Sequence, residues 1–88
     1  MLTKKEKDKI IEKFKTHKSD TGSPEVQIAI LSAEVERLTG HLQSHKKDFS
    51  SRRGLLRKVG LRRRLLKYLE KENEKSYEAL IKKLKLKK

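Results

Sequence analysis

Residues 23–44 read SPEVQIAILSAEVERLTGHLQS. The stretch opens as a helix start. Ser23 can accept from the N–H groups that lack partners in a first turn, Pro24 is pre-set for the first helical position, and Glu25 suits the positive helix end. Ile28, Leu31, Val35, Leu38 and Leu42 then form one apolar stripe at helical spacing, and Val26, Ala29, Ile30 and Ala33 form a second on another side. A surface helix needs one such stripe. A helix with two is sandwiched between neighbours, which makes this chain a helical bundle.

The flanking segments supply the neighbours. Upstream, Thr3 and Glu6 have the capping-box spacing, and Ile10, Ile11 and Phe14 make a thin apolar stripe over residues 4–16. So few apolar positions bury little, so this helix is the least firmly docked. Downstream, SHKKDFSS (44–51) breaks the helical pattern and offers Asp48 as the N-cap of a third helix. Leu55, Leu56, Val59, Leu66 and Leu69 share one face of that helix, and Gly60 lies close to it, where it could allow two helices to approach. The third helix ends near Glu72. Asn73 then caps a last helix in which Tyr77, Leu80, Ile81 and Leu84 repeat at spacings of three and four. No β-type alternation, internal repeat or long heptad run is present. The expected fold is all-α, with four helices, three packed as a bundle beside a shorter N-terminal one, and residues 1–88 forming a single domain.

Composition bounds the function. The chain has 88 residues and no cysteine, so neither a disulfide framework nor a thiolate metal site is possible. With 33% hydrophobic and 42% charged residues, a modest core is affordable and a buried enzymatic cleft is not expected. No apolar run approaches the roughly 20 residues that span a membrane. The N-terminus MLTKKEKDKI carries no apolar signal segment, so an intracellular protein is expected. The net charge of +13 selects a polyanion as partner, nucleic acid before an acidic membrane surface. That charge is concentrated: Lys46 to Lys67 holds ten basic residues against one acid, Asp48. A charge run is also what a solvated helix face looks like, but here the glutamate partners at helical spacing are missing.

A helical wheel through residues 49–72 separates two faces. With Arg52 at zero, Arg53, Arg64, Arg57 and Tyr68 fall between about 100° and 160°, away from the apolar stripe. A tyrosine among arginines can stack on a base or donate to a phosphate or ribose, or it can simply pack at the bundle edge. His41 and His45 have the i, i+4 spacing of two zinc ligands, yet His17 is the only other histidine, and no metal site or cofactor is expected. His41, Asp48 and Ser51 have the composition of a nucleophilic triad, but nothing supplies an oxyanion hole, and no enzyme is expected. The same three groups are a hydrogen-bonding set for base edges and 2′-hydroxyls in an RNA minor groove. On residues alone, the competing classes are an RNA binder, a helical DNA-binding module and a membrane-surface protein. The last would need clustered aromatics, and Phe14, Phe49, Tyr68 and Tyr77 are scattered.

Taken together, DTGSPEVQ (20–27), HLQSHKKDFSSRRGLL (41–56) and RRRLLKYL (62–69) closely resemble the family of the bacterial small-subunit ribosomal protein number fifteen. The likeness covers residues 20–69 almost without gaps. It implies a cytoplasmic four-helix protein of the small ribosomal subunit, monomeric when free, that binds ribosomal RNA directly and nucleates the subunit platform. The resemblance implies that Thr21, Gly22 and Gln27, with Tyr68 and neighbouring basic residues, meet a three-way RNA junction; Arg53, Arg57 and Arg64 are RNA-binding candidates from the wheel. It implies that His41, Asp48 and Ser51 meet the minor groove of one arm; Lys46 and Lys47, on their charge, are expected to meet phosphates. Further partners it implies are neighbouring platform proteins, large-subunit RNA across the interface and, in some members, the protein's own messenger RNA, with no membrane. Four positions depart from the family pattern: Glu34 where relatives often carry arginine or glutamine, Phe49 and Ser50 in place of histidines, and Lys85 where a glycine is common.

Overall fold

The computed structural model describes residues 2–15 and 22–84. Over these the chain forms α1 (Lys4–Phe14), α2 (Pro24–Ser44), α3 (Phe49–Glu72) and α4 (Glu74–Leu84), with no strand. Each start follows its local chemistry. The Thr3 hydroxyl accepts from Glu6 N–H at 3.2 Å while the Glu6 carboxylate accepts from Thr3 N–H at 3.0 Å, closing the capping box. Ser23 Oγ accepts from Val26 N–H at 3.3 Å ahead of Pro24. Asn73 ends one helix and begins the next: its N–H donates to Leu69 O at 2.8 Å and its side-chain oxygen accepts from Ser76 N–H at 3.1 Å.

The buried apolar residues come from α2, α3 and α4: Val26, Ile28, Ala29, Leu31 and Leu38, then Leu69, then Tyr77, Leu80 and Ile81. Ile28 and Val26 are fully buried, each worth about 1.5–3 kcal/mol of transfer free energy. Both stripes of α2 are used, which is why this helix is central. Ser76 Oγ donates to Glu25 Oε2 at 2.6 Å and ties α4 to the start of α2.

By contrast, α1 buries no residue fully. Phe14 reaches the edge of the core, with the Lys83 ammonium 4.6 Å from its ring centroid and Lys83 Nζ donating to Lys13 O at 2.9 Å. At the other end of α1, Glu6 and Arg37 of α2 form a two-pronged ion pair, one prong 3.1 Å long. The Arg37 guanidinium, with help from the Thr3 N–H, holds the Glu6 carboxyl at about 2. The thin docking of α1 read from its sequence is therefore the docking observed, although its last turn ends at Phe14 rather than residue 16.

Two expectations about α3 are corrected. Leu56 does not join the buried face: it is 66% exposed, and Leu65 packs against the core instead. On the wheel Leu56 sits at the margin of the stripe, and α2 covers only the centre of that arc. Gly60 does not mediate a close approach, because a Cβ built there would meet nothing within 4 Å.

Candidate nucleic-acid interface

Helices α2 and α3 run antiparallel, and their pairings step along both chains in register. His41 faces Asp48, Glu34 faces Lys58, Ser32 faces Arg62, and Ile28 shares a core cluster with Leu69. The register divides the expected site residues between the two ends of the helical pair. His41, Lys46, Lys47, Asp48 and Ser51 lie at the turn, while Gly22 and Gln27 lie at the opposite end, where α3 carries Tyr68. Ser51 and Tyr68 are about 25 Å apart along the α3 axis at 1.5 Å per residue.

At the turn, Asp48 is the hub. Its Oδ1 accepts from Ser51 N–H at 3.1 Å, the N-cap bond read from the sequence. Its Oδ2 takes the Ser51 hydroxyl at 2.7 Å and faces His41 Nε2 at 2.8 Å. The Ser51 hydroxyl, the Ser51 N–H and His41, in that order, hold the Asp48 carboxyl at about 2. An ionised carboxylate only accepts, so His41 Nε2 must carry a proton. In the neutral ring Nδ1 is then an acceptor, and the Ser51 hydroxyl, having spent its proton, also offers only lone pairs. The cluster thus presents acceptors outward, and it stays open: the His41 and Asp48 side chains are 39% and 35% exposed. Its natural complement is a donor, either a ribose 2′-hydroxyl or a guanine amino group, the one base donor in a minor groove. The connectivity also disposes of a nucleophilic triad. In such a triad the histidine stands between serine and carboxylate, whereas here Ser51 Oγ donates to Asp48.

The basic residues sort into two kinds. Arg53, Arg57 and Arg64 are exposed on the flank that carries Tyr68, itself 54% exposed. Lys46 and Lys47 are exposed in the turn. Lys58 and Arg62 point the other way: Lys58 Nζ donates to Glu34 Oε1 at 3.3 Å and Arg62 to Ser32 Oγ at 3.4 Å. Glu34, only 8% exposed, is thus the buried counter-ion of Lys58. Arg52 folds back on the turn, donating to Lys46 O at 2.7 Å.

At the far end, the Gln27 amide donates to Gly22 O at 2.7 Å, joining two of the expected contact residues into one small turn. Thr21, expected beside them, lies outside the described residues, as do Asp20, His17 and Lys85. One exposed apolar side chain went unread in the sequence: Leu61, 41% exposed, falls next to Tyr68 on the wheel. Phe49, 59% exposed, follows Asp48 directly with the Arg52 guanidinium 6.0 Å from its ring. The same wheel that found the arginines would have found Leu61. Among the described residues no group of three or more His, Cys, Asp or Glu could hold a metal ion, and no helix is long and apolar enough to cross a membrane.

The family model described as Ribosomal protein S15 matches residues 7–87. The chain is 60% identical to the small ribosomal subunit protein uS15 of Caldanaerobacter subterraneus subsp. tengcongensis over 88 residues, all of both chains. It is 55% identical to the uS15 proteins of Lysinibacillus sphaericus, over 94% of this chain and 93% of the relative, and of Dictyoglomus thermophilum, over 99% and 98%. With the match running nearly end to end at this identity, the chain belongs to the ribosomal protein S15 family.

Proposed function

We propose that the chain is one RNA-binding domain of the small ribosomal subunit, acting in the cytoplasm, that bridges helices at a three-way junction of small-subunit ribosomal RNA and so nucleates platform assembly. The observation that carries this reading is the pair of clusters held on one rigid helical hairpin. The acceptor-only set His41, Asp48 and Ser51 takes 2′-hydroxyls and a guanine amino group in the minor groove of one arm. The Gly22–Gln27 turn, with Thr21, Arg64 and Tyr68, meets the junction itself, while Arg53 and Arg57, on the same flank of α3 but nearer the turn, face RNA backbone between the two clusters. At Gly22 a Cβ would meet nothing within 4 Å among the described residues, so the surface there is open to an approaching RNA backbone.

Affinity in this reading comes from counterion release by the exposed lysines and arginines, Lys46 and Lys47 among them, and register comes from the two polar clusters. The α2–α3 hairpin acts as a ruler, because only a correctly angled junction reaches both clusters at once. Platform proteins and large-subunit RNA are the further neighbours it would meet. The test is a competition at physiological salt between a three-way-junction fragment of small-subunit RNA and duplex DNA of equal length. Preferential retention of the junction is expected. Equal competition by the DNA would favour a helical DNA-binding module instead.

A further inference from the structure

The His41–His45 spacing, which suits two metal ligands, has another use in this structure. The two imidazoles are stacked, with ring centroids 4.3 Å apart and planes 6° from parallel. His45 is pinned to the end of α2. Its backbone N–H donates to His41 O at 3.0 Å, and its Nδ1 lies 3.1 Å from the same carbonyl. A carbonyl only accepts, so His45 Nδ1 carries a proton. Ser44 Oγ, 3.2 Å from that nitrogen, donates to the same carbonyl at 3.3 Å. One ring of the stack is thus fixed by the helix terminus. The other is held at a single point, His41 Nε2 against Asp48 Oδ2. One hydrogen bond leaves an imidazole free to swing about that point, and a parallel ring against its face removes the swing.

We propose that His45 is a positioning residue: by stacking it sets the plane of His41 so that Nδ1 is presented as an acceptor at a fixed angle beside Ser51. This rests on the reading that His41 meets RNA. It assigns the four-residue spacing to aromatic packing rather than to a metal. It also separates the two histidines: His41 makes the contact, and His45 aims it.

The experiment compares full-length His45→Ala and His45→Phe with the unsubstituted protein, with His41→Ala in parallel. Two readouts are taken: affinity for a three-way-junction fragment of small-subunit RNA, and carbon-13 relaxation of the His41 ring in the free protein. His45→Ala should weaken binding about three- to tenfold, the equivalent of one aromatic pair, and should mobilise the His41 ring. His45→Phe keeps a stacking face without the ring nitrogens, and should restore binding to within about twofold and quiet the ring. A His45→Phe protein as weak as His45→Ala would overturn the proposal, since a stacking face at this position would then not aim His41. Unchanged ring mobility in His45→Ala would overturn it as well. Loss of the contact reading itself would show separately, as normal binding by His41→Ala, and the free-protein relaxation would still decide whether His45 holds the ring.

Discussion

His41 Nε2 lies 2.8 Å from Asp48 Oδ2, joining the last turn of one helix to the cap of the next. The bond makes a loop position part of a rigid hairpin, and it settles which way the hydrogen-bonding capacity of the turn faces. Asp48 has two duties, as cap and as hub, and they can be separated. Asp48→Asn keeps a good N-cap. Its amide, however, brings an N–H donor to a place where both Ser51 and His41 offer donors. Thermal unfolding should show only a modest loss, because the cap bond to Ser51 N–H remains while the two bonds to Oδ2 are weakened. Binding to a junction RNA should fall by about 1–3 kcal/mol, the range of one base-edge contact. Equal losses in both measurements would mean that Asp48 serves only the fold.

Lys46 and Lys47 flank this cluster without internal partners for their ammonium groups among the described contacts, and their role is electrostatic. Replacing both with alanine should reduce the slope of log affinity against log salt by about one to two, with specificity between junction and random duplex RNA retained. A slope identical to that of the unsubstituted protein would show that neither lysine meets phosphate.

Acid should loosen the fold at two places. The carboxyls of Asp48 and Glu6 are each held at about 2, below their ordinary values of 3.8 and 4.5. A carboxyl depressed in the folded state stabilises it above its unfolded value, and that contribution disappears as pH falls through the folded value. Stability from both groups should therefore be intact above about pH 5 and decline from about pH 4 to pH 2. Carbon-13 titration of the two carboxyls checks this directly. In Ser51→Ala the Asp48 midpoint should rise while that of Glu6 stays. Midpoints at the ordinary values in the intact protein would contradict the hydrogen-bonding described.

Among the described residues Glu34 and Lys58 form the charged pair most shielded from water, their side chains 10% and 24% exposed. Removing one partner strands the other. Lys58→Ala should cost about 2 kcal/mol in urea unfolding, whereas Glu34→Leu with Lys58→Met should be close to neutral. Junction-RNA affinity should hardly change in either protein, since the pair lies between the helices. Selective loss of RNA binding by Lys58→Ala, with normal stability, would move Lys58 to the RNA surface.

As a member of a ribosomal-protein family the chain is not an enzyme, and the parts of its fold legible in the sequence are those with local causes. Thr3, Ser23, Asp48 and Asn73 all cap where their side-chain chemistry says they should. The two stripes of α2 foretold its central place. What a wheel cannot give is how wide an arc a neighbour covers, so Leu56 was counted inside and lies outside. Nor can it pair groups across helices: Glu34 with Lys58 and Ser32 with Arg62 are matched only when α2 and α3 are set in register. The candidate site was legible as a set of residue types, and the family resemblance grouped them. Its acceptor-only character needed the distances, because composition does not say whether Ser51 donates to His41 or to Asp48.

The central claim is that one helical hairpin touches a single RNA junction at both of its ends. Hydroxyl-radical footprinting on small-subunit ribosomal RNA tests it most directly, with the unsubstituted protein, His41→Ala and Tyr68→Ala run side by side. The account predicts two protected patches about one hairpin length apart, roughly 25 Å, around one three-way junction. His41→Ala should lose the patch in the arm and Tyr68→Ala the patch at the junction, each at a cost of about 1–3 kcal/mol. Diffuse protection along duplex RNA, unchanged by either substitution, would contradict it.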